Sequence, residues 1–245
     1  PRPEDIEITH QYHDTLNELL WKQVDDTYEL HSDVKKALRE NADAFFEFLD
    51  VPKAKIVDVV LTGSAANFNW TGNSDIDLHI IVDVKAAEKG YGKLFQEYVN
   101  AKKSLWNDLH SIVIKGFPVE FYVESASEGH VSTGVFSLKD NKWVIEPQHN
   151  EPSVDDSAVK AKAAHMIKEI QQALGSNKAD VIEKMIEKIR KMRQSGLDDA
   201  GEFSTANLAY KILRNDKWLD KLYDCKTKAY DRDLSLEDEE WSCLL

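Results

Sequence analysis

The chain has 245 residues, enough to bury the core of one large domain or two small ones. Its 31 basic and 44 acidic residues give a net charge of −13, which disfavours general nucleic-acid binding unless a basic surface is local. Two cysteines are too few for a disulfide framework, and the sequence shows neither a membrane-spanning run nor a signal-peptide hydrophobic region. These features predict a cytoplasmic protein without a membrane partner. Because the chain begins at Pro1 rather than Met, we also expect processing or trimming.

Residues 1–147 alternate predicted helices and strands. A weak helical pattern over residues 6–20 precedes a helix from Ser32 or Asp33 to about Leu49. A β-branched run at 56–61 predicts a strand, and a long helix is expected near 86–110. Further strands are predicted near 119–123, 131–138 and 143–145, the last two as a hairpin through Asp140-Asn141. The order predicts an α/β (α+β) fold, a small mixed β-sheet with helices packed on one side.

A linker is predicted at 146–152, where two prolines stand among polar residues. Beyond it the sequence predicts helices over 158–174, 179–193 and from 203 to about 228, followed by a mobile acidic tail over 231–240. The expected organisation is therefore a core over 1–147, with N-terminal helices, and a helical C-terminal domain over 153–245.

A Gly-Ser turn follows the predicted strand at 56–61. Gly63 allows a tight turn and a close approach of the backbone to a ligand. Ser64 adds a hydroxyl and an N–H group, and the residues from Ala65 could start a helix. A strand, a Gly-Ser turn and a helix N-terminus together predict a phosphate-binding segment.

Two carboxylates, Asp75 and Asp77, follow the Gly-Ser pair after a spacer of ten residues, at the start of the next apolar run. Side chains at i and i+2 of a strand point to the same face, so the two carboxylates are expected side by side. Such a pair repels itself unless a cation lies between its members. Hard oxygen ligands favour Mg²⁺ or Mn²⁺ over zinc.

A third acid is expected on the strand near 119–123. Glu120 lies in the middle of that apolar strand, where an isolated carboxylate is costly unless it is paired or bound to a ligand. Glu124 shares the same strand face and is the competing assignment, although it lies at the strand's end.

This combination resembles the DNA polymerase β-like nucleotidyltransferase superfamily, in which Gly-Ser, an Asp-x-Asp pair and a later third carboxylate form the active site. The wider chain is similar to phage-encoded predicted nucleotidyltransferases in segments 13–17, 67–70, 75–79 and 133–137. The resemblance implies a host-cytoplasmic enzyme if the source is viral. Many members carry an Arg soon after Gly-Ser, whereas Ala65 and Ala66 stand here, so the basic residue that holds the triphosphate is not identified.

The predicted function is metal-dependent transfer of a nucleoside monophosphate from an NTP to an acceptor hydroxyl, with release of pyrophosphate. The catalytic and metal-binding residues implied by the resemblance are Asp75, Asp77 and Glu120, and the nucleotide-binding residues are Gly63, Ser64, Asn73 and Ser74. The alternatives are a catalytically inactive nucleotide-binding regulatory module and an RNA or tRNA 3′-end nucleotidyltransferase.

The acceptor is not specified by the motifs. Helix 178–193 holds six basic residues, which could contact a nucleic-acid backbone, but a solvated helix face is the commoner meaning of such a run. A small-molecule, nucleotide or protein acceptor is therefore favoured over RNA.

Two further residues near the motifs have alternative roles. For His79 a hydrogen-bonded structural role is favoured over a catalytic one. Trp70 is expected either to stack on a base or to pack against the sheet.

Overall fold

The structure is a computed structural model that describes residues 1–51, 54–83, 92–126, 132–149 and 151–236. The chain forms two compact units. Residues 11–150 form the first, here called the sheet unit, and residues 1–10 together with 151–245 form the second, the helical unit. The sequence predicts that residues 1–10 are part of the first domain. In the structure they belong to the helical unit, because Ile6 is buried among the apolar side chains of the C-terminal helices.

The sheet unit contains two α-helices and eight strands in its described residues. In chain order these are β1 Trp21–Val24, β2 Thr27–Leu30, α1 Ser32–Leu49, β3 Lys55–Thr62, β4 Ile76–Asp83, α2 Gly92–Leu109, β5 Val113–Ile114, β6 Phe117–Ser125, β7 Val135–Ser137 and β8 Lys142–Ile145. Strands β1 and β2 pair as a separate hairpin, and the other six form one sheet in the order β5-β6-β4-β3-β7-β8. Strand β4 runs antiparallel to β3 and parallel to β6, so the sheet is mixed.

Strand β4 shows why the two faces of this sheet differ. Ile76, Leu78 and Ile80 are fully buried, whereas Asp77 and His79, which alternate with them, are only half-buried. The apolar face packs against α1 and α2 in one hydrophobic cluster, in which Phe45 of α1 lies 5.0 Å from Phe121 of β6 between ring centroids. Packing the helices on one face leaves the face with Asp77 for polar side chains.

The helical unit is built from four α-helices in its described residues: α3 Asp156–Gly175, α4 Ala179–Ala200, α5 Thr205–Asn215 and α6 Trp218–Leu234. Asp155 caps α3, and Ser204 caps α5, each accepting a hydrogen bond from a backbone N–H of the first turn. Ile167, Ile170, Ile182 and Leu213 are each buried in the core that these helices share. No helix in the described part of the chain is long and apolar enough to cross a membrane.

The structure confirms the predicted α/β fold class, with a mixed sheet, helices on one side and a helical C-terminal region. The helix from Ser32 to Leu49 and the hairpin through Asp140-Asn141 are also confirmed, and Asn141 adopts the positive φ of 54° that such a turn needs. The first part of the helix predicted at 86–110, the first residue of the strand predicted at 131–138 and the last residues of the acidic tail lie outside the described residues. Within the described residues that strand is shorter than predicted and runs over Val135–Ser137.

Two predictions at the chain ends are wrong. Residues 6–20 form no helix, because their apolar side chains belong to different cores: Ile6 is buried in the helical unit and Leu16 and Leu20 are buried in the sheet unit. At the other end, residues 231–234 are not a mobile tail but the last turn of α6. The hairpin β1–β2 was not predicted.

Candidate active site

The Gly-Ser turn lies at the end of β3 and approaches β4 closely. Gly63 has φ +70° and ψ −160°, a conformation that is essentially restricted to glycine. A methyl group on its Cα would overlap the Oδ2 atom of Asp77 and lie 2.9 Å from its Cγ. Gly63 is therefore required both for the backbone conformation and for the space that the Asp77 carboxylate occupies.

One turn of 3₁₀-helix, Ser64–Ala66, follows Gly63, at the place where the sequence indicates that a short helix could start. The turn is held by Asn67, whose Nδ2 donates to the Gly63 carbonyl at 2.7 Å and whose Oδ1 accepts a hydrogen bond from the Thr133 hydroxyl at 3.1 Å. A phosphate would therefore meet the backbone of a tight turn rather than the N-terminus of an extended helix.

The two halves of the motif are joined by a hydrogen bond between serine hydroxyls. Ser64 Oγ donates to Ser74 Oγ at 2.8 Å, and the same Ser74 oxygen accepts from the Thr71 N–H at 2.9 Å. Ser74 is buried, so this bond fixes the Gly-Ser turn against the residue that precedes Asp75. Asn73 lies exposed in the same turn, where its N–H donates to Thr71 Oγ1. The structure thus brings Gly63, Ser64 and Ser74 together and places Asn73 at their rim.

The three acids lie at one end of the polar sheet face. Asp77 is opposite Thr62 of β3 on one side and opposite Glu120 of β6 on the other. Asp75 lies two residues before Asp77, just ahead of the first residue of β4. The parallel pairing of β4 with β6 therefore places Glu120 beside Asp77, whereas Glu124 is opposite Ile81, further along the strand.

The surroundings of Tyr122 show that the carboxylates of Asp75, Asp77 and Glu120 are close to one another. Its hydroxyl donates a hydrogen bond to Glu120 Oε2 at 2.6 Å. The pKa of Tyr122 is raised, first by burial, then by this hydrogen bond, and then by the negative charges of Glu120, Asp77 and Asp75. All three carboxylates thus act on one phenol hydroxyl, which remains protonated and serves as a donor. No sequence motif marks Tyr122, although strand alternation places it on the face of Glu120.

Glu124 and His79 form a separate pair further along the same face. His79 Nδ1 donates to Glu124 Oε1 at 2.6 Å, and the His79 ring stacks on Tyr122 with centroids 4.7 Å apart and planes inclined by 20°. These contacts agree with the hydrogen-bonded structural role that the sequence favoured for His79.

Trp70 packs within the protein rather than lying open to a ligand. Its ring stacks on His13 at 3.7 Å between centroids, and its Nε1 donates to the Thr15 carbonyl.

The donor set at this end of the sheet fits a hard divalent cation. Asp75, Asp77 and Glu120 offer carboxylate oxygens, the ligands that Mg²⁺ and Mn²⁺ prefer. Within the described ranges, however, no group of three or more His, Cys, Asp or Glu side chains is already arranged to hold a metal ion. The side chains are therefore of the type that binds Mg²⁺ or Mn²⁺, but they are not arranged as a complete set of metal ligands.

A family model described as a nucleotidyltransferase domain matches residues 45–199, more than half of the chain, including the Gly-Ser turn and all three acids. The chain belongs to this nucleotidyltransferase family. It is therefore an enzyme that transfers a nucleoside monophosphate, and an NTP is its substrate. Nucleotidyltransferase domains generally use divalent metals. The similarity to phage-encoded members stays a prediction.

The other comparisons add little to the nucleotidyltransferase assignment. The solved structure of a STING-associated CdnE c-di-GMP synthase from Capnocytophaga granulosa is similar at 15% identity, over 83% of this chain and 67% of that chain. The TM-score is 0.23, which is too low to support a conclusion about fold or substrate. The search of curated proteins found no match.

The position of the third acid can be tested by comparing two glutamates on the same strand face. We expect Glu120→Gln to lower kcat by about 100-fold or more, the range for loss of a positioned acid or base, because Glu120 lies beside Asp77. Glu124→Gln should cost much less, because Glu124 lies opposite Ile81 and is hydrogen-bonded to His79. Pyrophosphate release by both variants under identical conditions is the measurement. A larger loss for Glu124→Gln would indicate that Glu124 is the third acid and that the site lies further along the sheet.

Proposed function

We propose that the chain is a metal-dependent nucleotidyltransferase whose site is formed by Asp75, Asp77 and Glu120 with the Gly63-Ser64 turn. The observation that carries this proposal is the register of the sheet. Asp77 lies opposite Glu120 on a parallel neighbouring strand, and the Asp77 carboxylate lies against the Gly63 backbone. A phosphate-binding turn and a cluster of carboxylates are thereby adjacent, as nucleotidyl transfer requires.

Each residue has a distinct role in this proposal. Gly63 and Ser64 contact the β- and γ-phosphates through the backbone of the turn and the Ser64 hydroxyl, with Ser74 and Asn73 beside them. Asp75, Asp77 and Glu120 would hold Mg²⁺ or Mn²⁺, which when bound supplies Lewis-acid stabilisation of the charge on the triphosphate. Glu120, together with Asp77, orients the acceptor hydroxyl and takes up its proton.

The proposed reaction is an in-line displacement at the α-phosphorus. The acceptor oxygen forms a bond to the α-phosphorus as its proton leaves to a carboxylate or to water. The bond between the α-phosphorus and the bridging oxygen breaks, and pyrophosphate departs with that electron pair. Placing the acceptor hydroxyl between Glu120 and the turn converts a bimolecular step into an oriented one, which is a major part of catalysis for phosphoryl compounds.

The acceptor that we propose is a small molecule, a nucleotide or a protein hydroxyl rather than RNA. The basic side chains of α4 are engaged within their own unit: Lys184 contacts Asp180 at 3.4 Å, Lys188 contacts Glu169 at 2.6 Å and Lys191 contacts Glu187 at 3.8 Å. On the same helix Arg190 donates to the Tyr223 hydroxyl and Arg193 to the Asn207 side chain. The three lysines are thus paired with carboxylates, whereas the two arginines keep their charge and are hydrogen-bonded to neutral side chains. Such partly paired residues form a weak surface for phosphates.

RNA binding can be tested through its dependence on salt. With total RNA we expect weak binding whose logarithmic affinity falls with the logarithm of salt concentration by a slope shallower than about −2, since each single-strand phosphate contact contributes about −0.7. A filter-binding series across salt concentrations provides the slope. Tight binding with a steep slope, lost when Lys188, Arg190 and Lys191 are changed to Ala, would instead favour an RNA-modifying enzyme.

Two experiments on the wild-type protein test the proposed function. Calorimetric titration with each NTP and Mg²⁺, beside a turnover assay, separates an active enzyme from a module that only binds nucleotide. Incubation with each α-labelled NTP and a total cell extract, followed by separation of RNA, protein and small molecules, then identifies the acceptor. We expect label to appear in the protein or small-molecule fraction. Nucleotide binding without turnover for every NTP and fraction would refute the proposal.

A further inference from the structure

We propose that Tyr122 is a positioning residue that holds the Glu120 carboxylate in place, and that His79 and Glu124 hold Tyr122 in turn. This inference rests on the proposed function, in which Glu120 is the third acid. Its basis is the 2.6 Å hydrogen bond from the Tyr122 hydroxyl to Glu120 Oε2, between two side chains on the same face of β6.

Glu120 needs such a partner because of its neighbours. It lies opposite Asp77 on the adjacent strand, and Asp75 is close enough for its charge to act on the same phenol. Like charges at this spacing repel, which favours rotamers that carry the Glu120 carboxylate away from Asp77. A neutral donor stabilises the ionised carboxylate and restricts its direction at the same time.

The Tyr122 ring is itself held from two neighbouring elements. His79 of β4 stacks on it at 4.7 Å, and His79 Nδ1 is bound to Glu124 Oε1 at 2.6 Å. From α2, the Lys103 ammonium lies over the ring at 4.7 Å from its centroid. The hydroxyl is thus attached to a ring with little rotational freedom, as a group that orients another side chain requires.

This arrangement assigns a role to Glu124, the competing third acid. Its carboxylate is hydrogen-bonded to His79, which stacks on Tyr122, so Glu124 supports Glu120 indirectly. The contacts run from Glu124 to His79, from His79 to Tyr122 and from Tyr122 to Glu120.

The test compares Tyr122→Phe with Tyr98→Phe. Both variants remove one phenol hydroxyl and one hydrogen bond of similar length. The Tyr98 hydroxyl donates to the Leu49 carbonyl at 2.7 Å, at a position that is remote from the acids. Groups that orient metal ligands typically contribute 10- to 100-fold, so we expect Tyr122→Phe to lower both kcat and the affinity for Mn²⁺ by about 10- to 100-fold. The KM for NTP should be little changed, and Tyr98→Phe should leave all three quantities at the wild-type value.

Mn²⁺ affinity, measured by electron paramagnetic resonance without turnover, also permits a double-mutant cycle. If Tyr122 acts through Glu120, Tyr122→Phe should cause no further loss of Mn²⁺ affinity in a Glu120→Gln background. A full additional loss there, or wild-type values for Tyr122→Phe alone, would overturn the inference.

Asp77→Asn is measured beside these variants. If it is inactive while Tyr122→Phe is normal, only this inference fails, and if it turns over normally, the proposed function itself fails.

Discussion

Asp77→Asn is expected to abolish pyrophosphate release while leaving the fold intact. Asp77 lies on the polar face of β4, between the Gly63 turn and Glu120, and contributes nothing to the apolar core on the other face. Lewis-acid stabilisation of a transferring phosphate is worth several kcal/mol, so its loss should lower kcat by more than about 1,000-fold. Removing one of three neighbouring negative charges should not lower the thermal midpoint of unfolding.

The matched control for this variant is Asp83→Asn. Asp83 is exposed at the other end of the same strand. Asp83→Asn therefore makes the same chemical change outside the acid cluster. Pyrophosphate release by Asp83→Asn should equal that of the wild type. Normal turnover by Asp77→Asn would show that the carboxylate does not hold the metal and would remove the assignment of the acid pair.

Gly63→Ala is expected to inactivate the enzyme through the carboxylate of Asp77 rather than through loss of fold. The new methyl group would overlap Oδ2 of Asp77, so the carboxylate must move. Misplacement of a reacting group by about 1 Å can cost about 100-fold in rate, and we expect at least that loss in kcat. The positive φ of +70° adds a backbone cost of about 1–3 kcal/mol in stability.

Gly201→Ala separates the two contributions. Gly201 has φ +70° and ψ −157°, nearly the backbone conformation of Gly63, and a methyl group there would meet no atom within 4 Å among the residues that the structure describes. Both variants should therefore lose similar stability, as followed by circular dichroism, but only Gly63→Ala should lose activity per folded molecule. Equal activity of the two variants would show that the contact with Asp77 has no catalytic consequence.

The elements around the site could be predicted from sequence because their signals are local. The β-branched run before Gly63 and the apolar alternation of β4 predict both the strands and the faces on which Asp77 and His79 lie. The same alternation places Glu120, Tyr122 and Glu124 on one face of β6. Which of these glutamates lies beside Asp77 depends on the parallel register of two strands far apart in sequence, and no local pattern specifies that register.

The hairpin β1–β2 was missed for a different reason. Its strands have four residues each, and its turn is Asp25-Asp26, in which Asp25 adopts φ +51°. The strongest sequence signal for a two-residue turn is Asn-Gly or Asp-Gly, which allows positive φ at low cost. The helical pattern over 6–20 misled because Ile6 and Leu20 share a spacing but are buried in different cores. Periodicity indicates burial without indicating which core buries the residue.

The most direct test of the central claim is the fate of the α- and γ-phosphates during turnover. Wild-type protein is incubated with Mg²⁺, cell extract and each NTP, labelled in one sample at the α-phosphate and in another at the γ-phosphate. A nucleotidyltransferase leaves the α-label on the acceptor and releases the γ-label as pyrophosphate, and both signals should disappear with EDTA and with Asp77→Asn. Transfer of the γ-label to the acceptor, or α-label transfer that persists in EDTA, would contradict metal-dependent nucleotidyl transfer at this site.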